Sequence, residues 1–204
     1  MIAIVDYGMG NLLSVKNALD YLGEDSDICD HPDSILKAEK IILPGVGSFP
    51  DCMKNLKEKG FTDVLNHKVL EQKIPILGIC LGMQVMAGAG FEMGSTEGLG
   101  WFDAEVIKMK PKDSKLKIPN IGWETVSYLT DNPLLRTFRK NPDFYFVHSY
   151  FMNCFNEDDV TSWYNLDDQK ITASVQKENI FGTQFHPEKS SDIGREVLNN
   201  FIEY

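Results

Sequence analysis

Apolar residues fall into two rhythms along the first half of the chain. Residues 2–6, IAIVD, form a β-branched apolar run of the kind that makes a strand buried on both faces. After YGMG, residues Leu12, Val15, Ala18, Leu19 and Leu22 recur at helical spacing. Asn11 stands where a helix N-cap belongs, and Gly23 where a helix ends. KIILPG (40–45) and IPILGICLGMQ (74–84) repeat the strand-then-glycine theme. Strand–turn–helix units over about the first 90 residues predict a parallel sheet with helices on both faces.

The second half changes rhythm. GWFDAEVIKM (100–109), IGWETVSYL (121–129), DFYFVHSYFMNC (143–154) and QKITASVQKENIFGTQFH (169–186) read as consecutive strands and hairpins. The segment 191–204 reads as a closing helix with Ile193, Val197, Phe201 and Ile202 inward. KPKDSKLK (110–117) reads as a solvated polar loop. No repeat, low-complexity stretch or linker interrupts the pattern, so the reading is one domain over 1–204. The predicted class is α/β, with a central mostly parallel sheet and a strand-rich second half.

Composition narrows the function classes. Twenty Lys+Arg against thirty Asp+Glu leave a net charge of −10, which argues against a nucleic-acid partner. The acidic residues are dispersed, as on an ordinary soluble surface. No apolar run approaches the roughly 18 residues of a membrane span, and MIAIVDYG lacks the basic start of a secretory leader. Cys29, Cys52, Cys80 and Cys154 form no Cys-x-x-Cys pair, so the expectation is a cytoplasmic protein with reduced thiols.

Cys80 is the first candidate for chemistry. It lies between a buried strand and a predicted helix, where unpaired N–H groups and the helix dipole favour a thiolate. Gly78 and Gly82 give the pattern Gly-x-Cys-x-Gly, a nucleophile elbow with sulfur in place of oxygen. A buried strand cysteine is the alternative. TQFHPEKS (183–190) offers His186 as base and Glu188 as the group that orients it, two residues apart and so on one side of an extended backbone. A surface histidine before a turn competes with that reading, as does a zinc site built from Cys80, His186 and Glu188, although no other ligand pair has metal spacing. LPGVGSF (43–49) can expose the backbone amides of Val46 and Gly47 beside the site, with the Leu81 amide as a further oxyanion donor. A plain turn accounts for it equally well. His148 can compete as base, but an aromatic strand surrounds it and favours a structural role. His31 and His67 have no partner motif.

These segments together resemble the class I (triad) glutamine amidotransferases, and among them the glutaminase-subunit family of imidazole glycerol phosphate synthases. The likeness runs the full length and rests on VDYGMGNL (5–12), LPGVGSF (43–49), GICLGMQ (78–84), GLGW (98–101), FYFVHSY (144–150) and GTQFHPEKS (182–190). It implies a flavodoxin-like fold, a triad of Cys80, His186 and Glu188, and no cofactor or metal. It further implies glutamine contacts from Gly47, Gln84, Glu92, Ser149 and Tyr150. The implied partner is a separate (β/α)8-barrel synthase in a heterodimer, met through Asn11, Asn120, Trp123, Glu124 and Lys189. The family usually reads His-Met-Gly-Trp-Asn where residues 120–124 here read NIGWE. That departure keeps two partners open, a histidine-pathway barrel and a barrel that amidates a surface sugar. A core position for Trp123, a free-standing cysteine hydrolase and a non-catalytic binding module are the remaining alternatives.

Overall fold

A computed structural model describes residues 1–113 and 115–204. Its spine is an eight-stranded sheet in the order β2-β1-β3-β4-β14-β13-β12-β9. The strands are β1 (Ile2–Val5), β2 (Ser26–Cys29), β3 (Lys40–Gly45), β4 (Ile76–Cys80), β9 (Ser127–Tyr128), β12 (Val160–Leu166), β13 (Gln169–Lys177) and β14 (Ile180–Thr183). The first five in that order pair in parallel, and β13, β12 and β9 continue antiparallel. A second sheet runs β11 (Tyr150–Cys154), β7 (Phe102–Lys108), β5 (Ala87–Gly90) and β6 (Thr96–Glu97). A two-stranded ribbon joins β8 (Asn120–Thr125) to β10 (Asp143–His148).

Period-two alternation divides the core into two layers. Ala3, Val5, Ile41 and Leu43 face one side and pack with α2 (Phe49–Glu58), α3 (Phe61–Asn66) and strands of the second sheet. Ile2, Ile4, Ile42, Leu77 and Ile79 face the other side, toward α1 (Leu12–Leu22) and α5 (Ser191–Ile202). The continuous apolar runs therefore follow from burial on both faces.

Helix ends repay comparison with the sequence. Gly23 closes α1 in the left-handed region at φ 80, donating to the carbonyls of Asp20 and Leu19. Asn11 precedes α1, but its side chain caps no backbone N–H; it accepts instead from the Ser14 hydroxyl at 2.9 Å. In α5, Val197 and Phe201 are fully buried while Ile193 and Ile202 are half-covered; Leu198 and Gly194 complete the inner face. Within 110–117, Lys112 pairs with Asp168, and Ser114 lies outside the described residues. The pattern did not predict β2, β5, β6 or β12.

Candidate active site

Three neighbouring parallel strands, β3, β4 and β14, end on the same edge of the sheet. Each delivers one part of the site there. This is the carboxyl edge where open α/β sheets place ligands. Gly45, the last residue of β3, lies directly beside Cys80, the last of β4. The chain beyond β14 carries His186 and Glu188.

Cys80 sits at φ 55 and ψ −109, a positive-φ conformation that a side-chain-bearing residue rarely adopts. The turn behind it, α4 (Leu81–Gln84), is a single helical turn. A turn this short supplies no extended macrodipole to the sulfur. The flanking glycines of the elbow pattern serve close approach. A Cβ on Gly82 would fall 1.8 Å from the Leu43 carbonyl oxygen, and one on Gly78 2.7 Å from the Gly82 carbonyl oxygen. The turn is thus pressed onto β3, and the unusual dihedral belongs to Cys80 itself.

His186 is extended at φ −97 and ψ 96, and Glu188 lies in the 3-10 turn Pro187–Lys189. The turn, not a straight strand, carries the carboxylate back to the ring: His186 Nδ1 and Glu188 Oε1 are 2.8 Å apart. Both side chains are almost wholly buried. The loop is clamped to β10. The His186 N–H donates to the Tyr145 carbonyl at 3.0 Å, the Ser190 hydroxyl donates to the His186 carbonyl at 2.7 Å, and the Tyr145 N–H donates to Ser190 Oγ at 3.0 Å. His186 Nε2 is buried without a hydrogen-bond partner among the described residues. Burial alone would lower the imidazole pKa, but the adjacent Cys80 thiol and the Glu188 carboxylate outweigh it and raise the value to about 9. A ring held this way is a proton donor at neutral pH.

Both Cys80 and His186 line a cavity of about 390 Å³. Val46, Gly47, Leu81, Gln84, Glu92, Ser149, Tyr150 and Lys189 line it too, so every residue expected at the oxyanion and glutamine positions reaches it. Gly47 takes φ 107, a conformation that suits glycine. Glu92 accepts the Phe49 N–H at the start of α2 through Oε2 (2.8 Å). Gln84 is buried, and its Nε2 already donates to the Tyr150 carbonyl and to Gln184 Oε1, each at 2.9 Å. Only its carbonyl oxygen is left for a ligand.

His148 also lines the cavity, yet both ring nitrogens are engaged, with the Tyr150 carbonyl at 2.8 Å and the Tyr164 hydroxyl at 2.9 Å. Burial, aided by the charge of His186 and only partly opposed by the Tyr150 hydrogen bond, lowers its pKa to about 4. It stays neutral, in keeping with a structural role and not with the base.

The residue the sequence reading passed over is Gln184. It is fully buried, and its Nε2 donates to Cys80 Sγ at 3.5 Å. The available signal was a glutamine inside the apolar run IFGTQFH, which a core strand does not normally carry.

The partner positions lie on β8, at the cavity and at the start of α1. Trp123 on β8 is 52% exposed, which excludes the core position, and it meets the Tyr145 ring edge-on at 6.0 Å. Ile121, two residues before it on the same face of β8, is 61% exposed. Asn120 donates to Glu124 Oε1 at 3.1 Å and to the Tyr164 hydroxyl at 3.0 Å. Lys189 stands exposed at the cavity rim, and Asn11 is half-buried at the start of α1.

A cysteine on a strained turn, an imidazole paired to a carboxylate and a cavity lined by both the sulfur and the ring have the composition of a cysteine-dependent hydrolytic site, set on the carboxyl edge of a flavodoxin-like sheet. Residues 3–204 match the class-I glutamine amidotransferase family, and the chain belongs to it. Among curated relatives, the imidazole glycerol phosphate synthase subunit HisH 1 of Campylobacter jejuni (strain 81-176) is 48% identical over 201 residues, 98% of each chain. HisH 2 of Methanococcus maripaludis is 45% identical, covering 100% of this chain and 99% of the relative. Of solved structures, one described as a glutamine amidotransferase superposes with a TM-score of 0.77 at 19% identity, over 100% of this chain and 98% of the other. A chain of the PurLQS structure from Thermotoga maritima gives 0.75 at 21% identity, over 100% and 97%. At those identities the likeness speaks for the fold.

Proposed function

We propose that the chain is the glutaminase subunit of an imidazole glycerol phosphate synthase, acting in the cytoplasm as one domain over 1–204. It hydrolyses glutamine and passes the ammonia to a (β/α)8-barrel synthase subunit for histidine biosynthesis. The observation that carries this reading is the meeting of Cys80 and His186 on one cavity of about 390 Å³, with Glu188 buried behind the imidazole at 2.8 Å from its Nδ1. Support for the pathway comes from the Campylobacter relative, 48% identical, whose name is that of such a subunit.

The chemistry follows from the groups present. The Cys80 thiolate attacks the glutamine carboxamide carbon, and the carbonyl π electrons move onto oxygen. The amides of Val46, Gly47 and Leu81 are the donors available to that oxyanion. The tetrahedral adduct collapses, the C–N bond breaks, and His186 gives its Nε2 proton to the departing nitrogen as ammonia. Neutral His186 then takes a proton from water as the water attacks the thioester, releasing glutamate and regenerating the thiolate. Glu188 holds the ring and balances its charge throughout. Glu92, with Oε1 outside its bond to Phe49, suits the substrate α-ammonium, and Ser149 and Tyr150 suit its other polar groups. Ammonia made in solution would be protonated at neutral pH and lose its nucleophilicity, which gives a docked partner its purpose. Asn11, Asn120, Trp123, Glu124 and Lys189 form the docking face in this reading.

A second partner, a barrel that amidates a surface sugar, is favoured by one feature. Asn120 holds the Glu124 carboxylate at 3.1 Å on β8, where the family pattern has a neutral residue. Such a face suits a cationic or donor group on the partner. The test is Cys80→Ser in the reconstituted complex. Glutamine-dependent synthesis should fall at least about 10³-fold while ammonium-driven synthesis survives. Undiminished glutamine turnover would refute the assignment. Mixing the native chain with each kind of barrel, and reading glutaminase stimulation, decides the partner.

A further inference from the structure

We infer that Gln184 is a catalytic hydrogen-bond donor to the Cys80 sulfur, held in the donor sense by the Tyr150 carbonyl acting through Gln84, the same carbonyl that a second chain of hydrogen bonds joins to β8. The inference rests on Cys80 being the nucleophile proposed above.

The direction of every bond in the two chains follows from two groups that can only accept. The first is the Tyr150 carbonyl. It lies 2.9 Å from the Gln84 amide, so the Gln84 atom there is the Nε2 donor. That same Nε2 lies 2.9 Å from Gln184, so Gln184 must turn its oxygen toward Gln84. Its NH2 group is then left facing Cys80 Sγ, 3.5 Å away. A flipped Gln184 would oppose NH2 to NH2 on one side and a carbonyl lone pair to the sulfur on the other, with Gln184 itself fully buried and unable to turn to water instead.

The second fixed acceptor is the Glu124 carboxylate. It sets Asn120 Nδ2 toward both Glu124 and the Tyr164 oxygen. The Tyr150 carbonyl also takes the His148 Nδ1 proton at 2.8 Å, so the neutral ring presents Nε2 as an acceptor to the Tyr164 hydroxyl at 2.9 Å, with Met109 Sδ at 3.7 Å the weaker alternative for that proton. The two halves meet at the Tyr150 carbonyl oxygen. A run of seven residues thus links Glu124 on β8 to the sulfur, and no proton need change owner along it.

A donor aimed at sulfur favours its anionic form over the thiol, because the anion accepts a much stronger hydrogen bond. The effect is largest where water is excluded, as it is around Gln184. Gln184 therefore keeps Cys80 nucleophilic before substrate enters, and stabilises the thiolate again when it leaves the thioester.

The experiment uses the full chain as native, Gln184→Met and Gln184→Glu, each checked for folding by thermal melting. Iodoacetamide alkylation of the Cys80 peptide is followed by mass spectrometry across pH, alongside kcat and KM for glutamine. Gln184→Met should alkylate about tenfold more slowly at pH 7, the size of one lost hydrogen bond to an anion, with its profile displaced to higher pH. Its kcat should fall with KM nearly unchanged. Gln184→Glu should be slower still, since its carboxylate can accept from Gln84 and presents negative charge to the sulfur. On the native chain, the Gln184 side-chain NH2 resonance should move when Cys80 is alkylated. A folded Gln184→Met with the native alkylation rate, Gln184→Glu no slower than Gln184→Met, or a native Gln184 resonance indifferent to alkylation would each overturn the inference. None of these touches the glutaminase reading, which falls only if Cys80→Ser retains glutamine hydrolysis.

Discussion

Acidification should strip stability from this fold through His148, and the size of that one contribution can be worked out. The ring is buried, with its pKa lowered from an ordinary 6.5 to about 4. Between those values the unfolded chain binds a proton that the folded chain refuses, so stability falls as pH falls. A depressed base contributes its full share above about 6.5 and loses it as pH drops through 4. From pH 7 to pH 4.5 the linkage relation gives a loss of about 2 kcal/mol for this one group. His186 works in the other direction. Its raised value, about 9, gives stability that is complete below 6.5 and lost as pH rises through 9. His148→Gln removes the first contribution and keeps a donor for the Tyr150 carbonyl. The assay is urea unfolding of both proteins at pH 7 and pH 4.5. His148→Gln should be less stable than native at pH 7, because packing is lost, but the gap should narrow by about 2 kcal/mol at pH 4.5. Parallel pH dependence in the two proteins would refute a buried neutral His148.

The remaining predictions concern the site and its rim. Glu188→Gln removes the carboxylate that raises His186, so the imidazole titration, read by NMR, should fall from near 9 toward the ordinary value; an unchanged midpoint would leave Cys80 as its only support. Gly82→Ala drives a methyl to 1.8 Å from a backbone oxygen that cannot rotate away, and should cost about 3 kcal/mol or more in urea unfolding while misplacing Cys80. Trp123→Ala should leave the melting temperature of the isolated chain nearly unchanged, because the ring is half-exposed, and weaken binding to the barrel by about 2 kcal/mol or more in calorimetry. Equal binding by that variant would remove β8 from the interface.

What the sequence made legible follows from which interactions are local. β1, β3 and β4 announce themselves because burial on both faces demands unbroken apolar runs, and Gly23 because its αL end needs no distant partner. The candidate triad was legible as residue types at the ends of such runs. Its geometry was not. Cys80 and His186 are over a hundred residues apart, and only the pairing of β4 with β14 brings them together. β5, AGAG, carries no apolar periodicity, because two of its four residues are glycines. Asn11 looked like a cap by type alone, and Ser14 claims its oxygen first. Gln184 escaped because a buried amide is distinguished by its partners, and those, Cys80 and Gln84, lie about a hundred residues away at the end of β4 and in α4.

The ribbon of β8 and β10 bears on the need for a partner. It stands apart from both larger sheets, with β8 alternating half-buried and exposed residues along its whole length. Its outer face shows Ile121 and Trp123 to solvent; its inner residues, Asn120 and His148, are hydrogen-bonded to Tyr164 of the main sheet. β10 also supplies the Tyr145 backbone that clamps the His186 loop. A body pressing on Ile121 and Trp123 therefore bears on a two-stranded element with one edge on the base and another on the Tyr150 carbonyl that orients Gln84 and Gln184. The ribbon is tied to the core through β10, where Phe144 and Phe146 are fully buried and Phe144 stacks on Phe185, the neighbour of His186, at 3.9 Å, so a load on β8 reaches the His186 loop through packed rings. Docking there can set the spacing of nucleophile and base without altering either strand that carries them, so occupancy of the β8 face and glutamine turnover should rise together.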